Sequence, residues 1–127
     1  MILDTSAWIE FFQGTENCET VAQVLRKEQP ATSTVTLAEI VHWCLRNKLE
    51  HKIADYLDGI RAGSRILHAS EHIFITAGML NYERKKINKR WGMVDSIILA
   101  TAHTYGLGVL TKDSQFKDLP NIRLLKR

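Results

Sequence analysis

Apolar residues along the chain fall into two patterns. Short apolar runs occur at Ile2-Leu3, Ala31–Thr34, Arg65-Ile66-Leu67, Val109-Leu110-Thr111 and Ile122–Leu125. Between them lie longer stretches in which apolar side chains recur every three or four positions. The runs predict buried strands and the stretches predict amphipathic helices. Thr5 or Ser6 is placed to cap a short helix carrying Trp8, Ile9, Phe11 and Phe12, which Gly14 ends. A second helix is expected over residues 18–28, with Val21, Val24 and Leu25 on one face. From Thr34 or Thr36, the positions Leu37, Ile40, Val41, Cys44 and Leu45 follow helical spacing. Residues 50–62 predict a further helix after a break near Asn47. Ile73, Ala77, Leu80, Arg84 and Ile87 mark a long helix with a basic end, and Val94–Tyr105 is the clearest helix, stopped by Gly106 and Gly108.

Strand–helix alternation of this kind predicts an α/β fold with a parallel sheet covered on both faces. Ligands in such sheets bind at the carboxyl ends of the strands. Two acids fall at that rim: Asp4 directly follows the first strand, and Asp113 follows Val109–Thr111 by one residue. A third, Asp95, lies in the first turn of the Val94 helix. At about 100° per residue it falls about 60° from Ile98, at the edge of the apolar face. A carboxylate there must be paired, capping or bound to a cation. The fourth, Glu39, sits roughly opposite the Leu37/Val41/Cys44 stripe, where it faces either solvent or a cleft at the sheet rim. Each acid alone also reads as a cap or turn residue. Together, carboxylates at one rim repel one another unless a cation intervenes, and an all-oxygen set suits hard ions such as Mg²⁺ or Mn²⁺.

Size and charge narrow the classes. The 127 residues fit one domain spanning 1–127, with 45% hydrophobic and 24% charged content. There is no run long enough for a membrane span and no leader-like start, so a cytoplasmic protein is expected. Cys18 and Cys44 lie within helical patterns without metal spacing and read as reduced, buried thiols. The five histidines share no ligand spacing and suggest no role. A net charge of +3 permits a polyanionic partner without requiring one.

Four segments resemble the PIN-domain family: Ile2-Leu3-Asp4-Thr5-Ser6, Thr36-Leu37-Ala38-Glu39-Ile40, Val94 through Ala102, and Leu110-Thr111-Lys112-Asp113-Ser114-Gln115-Phe116. Their order and separations suit the family across nearly the whole chain. The resemblance implies a three-layer α/β/α fold with a central, mainly parallel sheet of four to five strands. It further implies a Mg²⁺- or Mn²⁺-dependent endoribonuclease with Asp4, Glu39, Asp95 and Asp113 as catalytic acids. Asp4, Asp95 and Asp113 would bind the metal, with Ser6 and Thr111 supporting the network. The single-domain length resembles the VapC toxin branch, which implies an RNA substrate, a VapB-type antitoxin and a homodimer. Gln115 stands where some relatives carry a further acid; Asp118, the next acid, falls in what reads as a surface turn.

Two other stretches suggest surfaces. Residues 83–91 carry five basic side chains, of which Lys86, Lys89 and Arg90 are candidate phosphate contacts; Trp91 reads as a core residue or a base-stacking one. Trp8, Phe11 and Phe12 crowd a short helix all round, so part of the cluster is a candidate antitoxin groove. The rival readings are a non-catalytic PIN-like module binding RNA or protein, and a phosphotransfer enzyme of receiver or haloacid type. The second needs another acid beside Asp4, which Asp4-Thr5-Ser6 does not offer.

Overall fold

In a computed structural model describing residues 1–127, Ile2 and Leu3 form the central strand β1 of a five-stranded sheet. The other strands are β2 (Ala31–Ser33), β3 (Arg65–Leu67), β4 (Val109–Thr111) and β5 (Ile122–Leu124), in the order β3-β2-β1-β4-β5. Every pairing is parallel, so the sheet is wholly rather than mainly parallel. Six helices connect the strands: α1 (Thr5–Phe12), α2 (Cys18–Lys27), α3 (Thr34–Arg46), α4 (Ile53–Gly63), α5 (Glu71–Ile87) and α6 (Met93–Tyr105).

The period of two in the central strands divides the core. Leu3 and Leu110 join Ala7, Trp8, Val21, Ile40, Cys44, Tyr56 and Ile60 on the face covered by α1–α4. Their neighbours Ile2 and Val109 point the other way, to Trp91, Ile98, Leu99, Ala102 and Phe116. The chain leaves β1 towards β2 and β3, then returns to place β4 on the opposite side of β1. The β1/β4 boundary is therefore the topological switch point, where adjacent crossovers diverge and leave a crevice beyond the carboxyl ends.

Several helix ends differ from expectation by a residue, and the caps explain why. Asp4, not Thr5 or Ser6, caps α1. Ser33 caps α3, accepting from the Val35 amide, so the helix begins at Thr34 and β2 ends at Ser33. The expected helix at residues 50–62 opens as a short 3-10 turn, Glu50–Lys52, before α4 proper. Gly106 (φ 66°) ends α6 in the left-handed conformation that suits glycine. Gly108 is required for a different reason: a Cβ there would meet the Asn121 carbonyl at 2.8 Å, where β5 docks on β4.

Helix α6 is buried all round from Ser96 to Ala102, because α5 packs along one side and the sheet along the other. The single apolar face read from its periodicity therefore understates its burial, and Tyr105 at its end is 47% exposed. Helix α5 carries two apolar faces. Ile73, Ala77 and Arg84 face inward, whereas Phe74, Ile75, Met79 and Tyr82 are exposed. Ile87, expected on the inner face, is exposed at the helix end. Both cysteines are free, with Cys44 buried and Cys18 only partly so. No helix is long and apolar enough to cross a membrane.

Candidate active site

The switch-point crevice is a cavity of about 600 Å³ into which Asp4, Glu39, Asp95 and Asp113 all open. Four segments far apart in sequence supply them, and each acid has a local reason for its position. Asp4 sits where β1 turns into α1: one carboxylate oxygen accepts from the Thr5 amide (2.8 Å), and the other from the hydroxyls of Ser6 (3.0 Å) and Thr111 (2.7 Å). Thr111, at the end of β4, also accepts the Asp113 amide (3.0 Å), and Ser6 accepts the Lys112 amide (2.9 Å). These bonds tie the ends of β1 and β4 together and fix the spacing of Asp4 and Asp113. Asp113 in turn accepts the Gln115 amide (2.9 Å) at the start of the Ser114–Phe116 turn.

Asp95 accepts the Gly92 amide (2.9 Å) across the first turn of α6. The start of that helix is anchored from inside, where the Trp91 indole N–H donates to Ser96 (2.7 Å) and Ser96 donates to Asn81 of α5 (3.1 Å). Glu39 does not point to open solvent. It is half-buried, and its carboxylate accepts from the Thr5 hydroxyl, whose oxygen lies 3.2 Å from that of Thr36. The crevice lies on the side of α3 opposite the Leu37/Cys44 stripe.

The four acids share an electrostatic field. The Asp95 carboxyl is pushed up to about 6, chiefly by burial and in part by the charges of Asp4, Asp113 and Glu39, against the Gly92 hydrogen bond. Asp4 is raised by burial, with Asp113 adding to the shift and the Thr111, Ser6 and Thr5 bonds opposing it. Glu39 is raised by burial and by Asp4, against the Thr5 bond and the charge of His42. A divalent cation would relieve this repulsion, and the donors are the hard oxygens that Mg²⁺ and Mn²⁺ prefer. Three of the carboxylates are meanwhile turned onto backbone amides, and no three acid, histidine or cysteine side chains form a ready metal-binding group. The donor chemistry fits a hard cation; a full ligand shell requires the carboxylates to share their lone pairs between amide and ion, as charge-assisted caps can.

Other expected site residues fall elsewhere. Lys86, Lys89 and Arg90 are exposed and do not line the cavity; Lys86 pairs with Glu83 (3.3 Å) and covers the Tyr82 ring. Lys86 lies in the last turn of α5, and Lys89 and Arg90 lie in the turn between α5 and α6. Trp91 is fully buried against Phe116, with Arg84 stacked over its ring at 4.6 Å, so it offers no face to a base. Asp118 is likewise committed, to Arg84 (2.7 Å), and takes no part in the site. Trp8 is fully buried and donates to Thr32 (3.0 Å), so it presents no surface to a partner. Phe11 and Phe12 are half-buried, Phe12 stacking on Tyr56 at 4.1 Å.

The cavity also has a wall that sequence reasoning missed. His42, Trp43 and Arg46 line it, continuing the face of α3 that bears Glu39. The signal was the spacing from Glu39 at i+3, i+4 and i+7, which places all of them on one helical face.

The chain is thus a parallel α/β protein with carboxylates gathered at the switch point of its sheet. The PIN domain family model matches residues 1–122, and the chain belongs to the PIN-domain family. Solved structures resemble it over almost their full length. A toxin–antitoxin complex from Klebsiella pneumoniae aligns at a TM-score of 0.75 and 24% identity, covering 96% of this chain and 94% of that one. VapBC2 from Rickettsia felis, bound to a promoter DNA fragment, aligns at 0.76 and 20%, covering 98% and 96%. VapC20 from Mycobacterium tuberculosis, a sarcin–ricin loop cleaving toxin, aligns at 0.76 and 17%, covering 94% and 95%. No curated protein matches the chain by sequence.

Proposed function

We propose that this protein is a metal-dependent endoribonuclease, the toxin of a type II toxin–antitoxin pair, acting in the cytoplasm. The observation that carries the reading is the meeting of Asp4, Glu39, Asp95 and Asp113 in one crevice, each of the first three raised by burial and by another acid's charge. Asp4, Asp95 and Asp113 would hold Mg²⁺ or Mn²⁺; when bound, the ion supplies a polarised water and neutralises charge on the phosphodiester. Ser6 and Thr111 hold Asp4 in its rotamer through two hydroxyl donors, and Thr5 does the same for Glu39. Glu39, half-buried and raised, is suited to orient the attacking water or accept its proton.

A VapB-type antitoxin is the proposed protein partner, in keeping with the toxin–antitoxin complexes among the structural neighbours. The proposed homodimer has a surface to use: Ile75, Met79 and Tyr82 form one exposed stripe on α5, flanked by Phe74. The test of the activity is cleavage of total cellular RNA by the purified protein with Mn²⁺. Loss of cleavage in Asp95→Asn and in Asp4→Asn, with the fold retained, is the expected result. Equal cleavage by either variant overturns the assignment. One observation favours a second reading, a non-catalytic PIN-like module binding RNA or protein: the carboxylates are engaged by backbone amides. Under that reading the wild type cleaves nothing in any divalent ion.

A further inference from the structure

The second half of α3 forms one wall of the cavity, and its Trp43 packs only in part against the core. The chain has three tryptophans, and two of them are fully buried with their indole N–H groups bonded, Trp8 to Thr32 and Trp91 to Ser96. Trp43 differs. It is only partly buried, it lines the crevice, and its indole N–H has no protein partner. Arg46 is the single lysine or arginine in the cavity lining, is exposed, and makes no ion pair. The other nearby cation, Lys112, is committed to the buried carboxylate of Glu10 (3.1 Å).

At about 1.5 Å of rise per residue, Trp43 lies about 6 Å and Arg46 about 10 Å along α3 from Glu39. The order along the wall is thus acid, flat aromatic surface, cation. We infer that this wall is a substrate subsite for single-stranded RNA, in which Trp43 stacks on an unpaired base next to the scissile phosphate and Arg46 binds the following phosphate. The inference rests on the ribonuclease reading for the identity of the polymer. With a divalent ion on the acids, as the ribonuclease reading requires, charge favours RNA over a peptide as occupant. An otherwise anionic cavity with one free arginine at its far end complements a chain that brings a phosphate to the metal-binding acids and a second phosphate one nucleotide on. Stacking on an indole demands an unpaired base, which selects single strands, and it tolerates any base.

The placement of the tryptophans supplies a direct readout. Because Trp8 and Trp91 are buried, a base stacking on the protein quenches Trp43 emission selectively. The experiment titrates a short unlabelled oligouridylate into Asp95→Asn protein, which keeps the wall and removes cleavage, and compares it with the same RNA annealed to its complement. Saturable quenching by the single strand and none by the duplex is expected, and Trp43→Phe in the same background should lose the quench. In cleavage assays of otherwise wild-type protein, Trp43→Phe and Arg46→Ala should each raise KM about 10-fold with kcat within about two-fold. Arg46→Ala should also flatten the salt dependence of binding by about one counterion.

Absence of quenching, or unchanged KM in both variants, overturns the subsite. Quenching by the single strand without any cleavage by the wild type keeps the subsite and refutes the nuclease reading. Arg46 is exposed, so its variant folds even where replacement of Trp43 disturbs packing.

Discussion

Replacing Asp95 by asparagine should stabilise the metal-free protein while abolishing the proposed ribonuclease activity. The Asp95 carboxyl is pushed from 3.8 up to about 6, chiefly by burial and further by the charges of Asp4, Asp113 and Glu39. At about 1.4 kcal/mol per pH unit, that difference corresponds to at most about 3 kcal/mol of destabilisation in the ionised form. Asp95 keeps contact with solvent at the mouth of the cavity, and screening there reduces the figure to about 1–2 kcal/mol. Asparagine removes the charge, and its carboxamide oxygen can still accept the Gly92 amide. The sign follows from linkage. Between about pH 4 and 6 the folded state holds more protons than the unfolded state, so wild-type stability falls as pH rises through that window and levels off above it. Asp4 and Glu39, both raised, contribute in the same direction. Urea or thermal unfolding in EDTA should therefore show Asp95→Asn melting about 4–8 °C above wild type near pH 7.5, with the gap closing towards about pH 4. A variant that melts below wild type at neutral pH, or a gap that does not change with pH, would refute the argument that burial and the neighbouring acids penalise the ionised Asp95 carboxyl.

Three further outcomes follow from the same structure. Mn²⁺ should raise the wild-type melting point, by the equivalent of about 2.7 kcal/mol at a concentration 100 times the dissociation constant; calorimetry showing no response in the wild type, or an equal response in Asp95→Asn, counts against the site. Arg84 is 6% exposed, bonds Asp118 and the Gln115 carbonyl, and stacks on Trp91; Arg84→Ala should cost about 2–4 kcal/mol in urea unfolding, whereas Lys86→Ala, which breaks an exposed pair, should cost less than about 0.5 kcal/mol. Met79→Glu should convert a dimer to a monomer by light scattering without lowering the melting point of the isolated chain, since Met79 is 62% exposed; a wild-type monomer at high concentration would refute the α5 interface.

Much of the fold was legible because strands and helices leave local periodic marks. Ile2-Leu3 and Val109-Leu110-Thr111 were readable as strands, and an acid just past each strand follows from chain order alone. Placing Asp4 and Asp113 at one rim required only the rule for parallel sheets. Strand order was not legible. That β4 returns to pair with β1, and so brings Thr111 within bonding distance of Asp4, depends on crossovers that no local pattern records. The same limit applies to the residues around the site. Lys86, Lys89 and Arg90 precede Asp95 closely in sequence, but the end of α5 and the turn after it leave them outside the cavity lining. Trp8 and Trp91 look alike in sequence to Trp43, yet only packing from distant elements decides which indole is left facing the cavity. Periodicity reports how a side chain is disposed about its own helix axis, and neighbouring residues are enough to set that. What lies across from each face is decided by contacts between segments tens of residues apart, so the acids could be nominated from the sequence, while their meeting, and the wall beside them, belong to the tertiary structure.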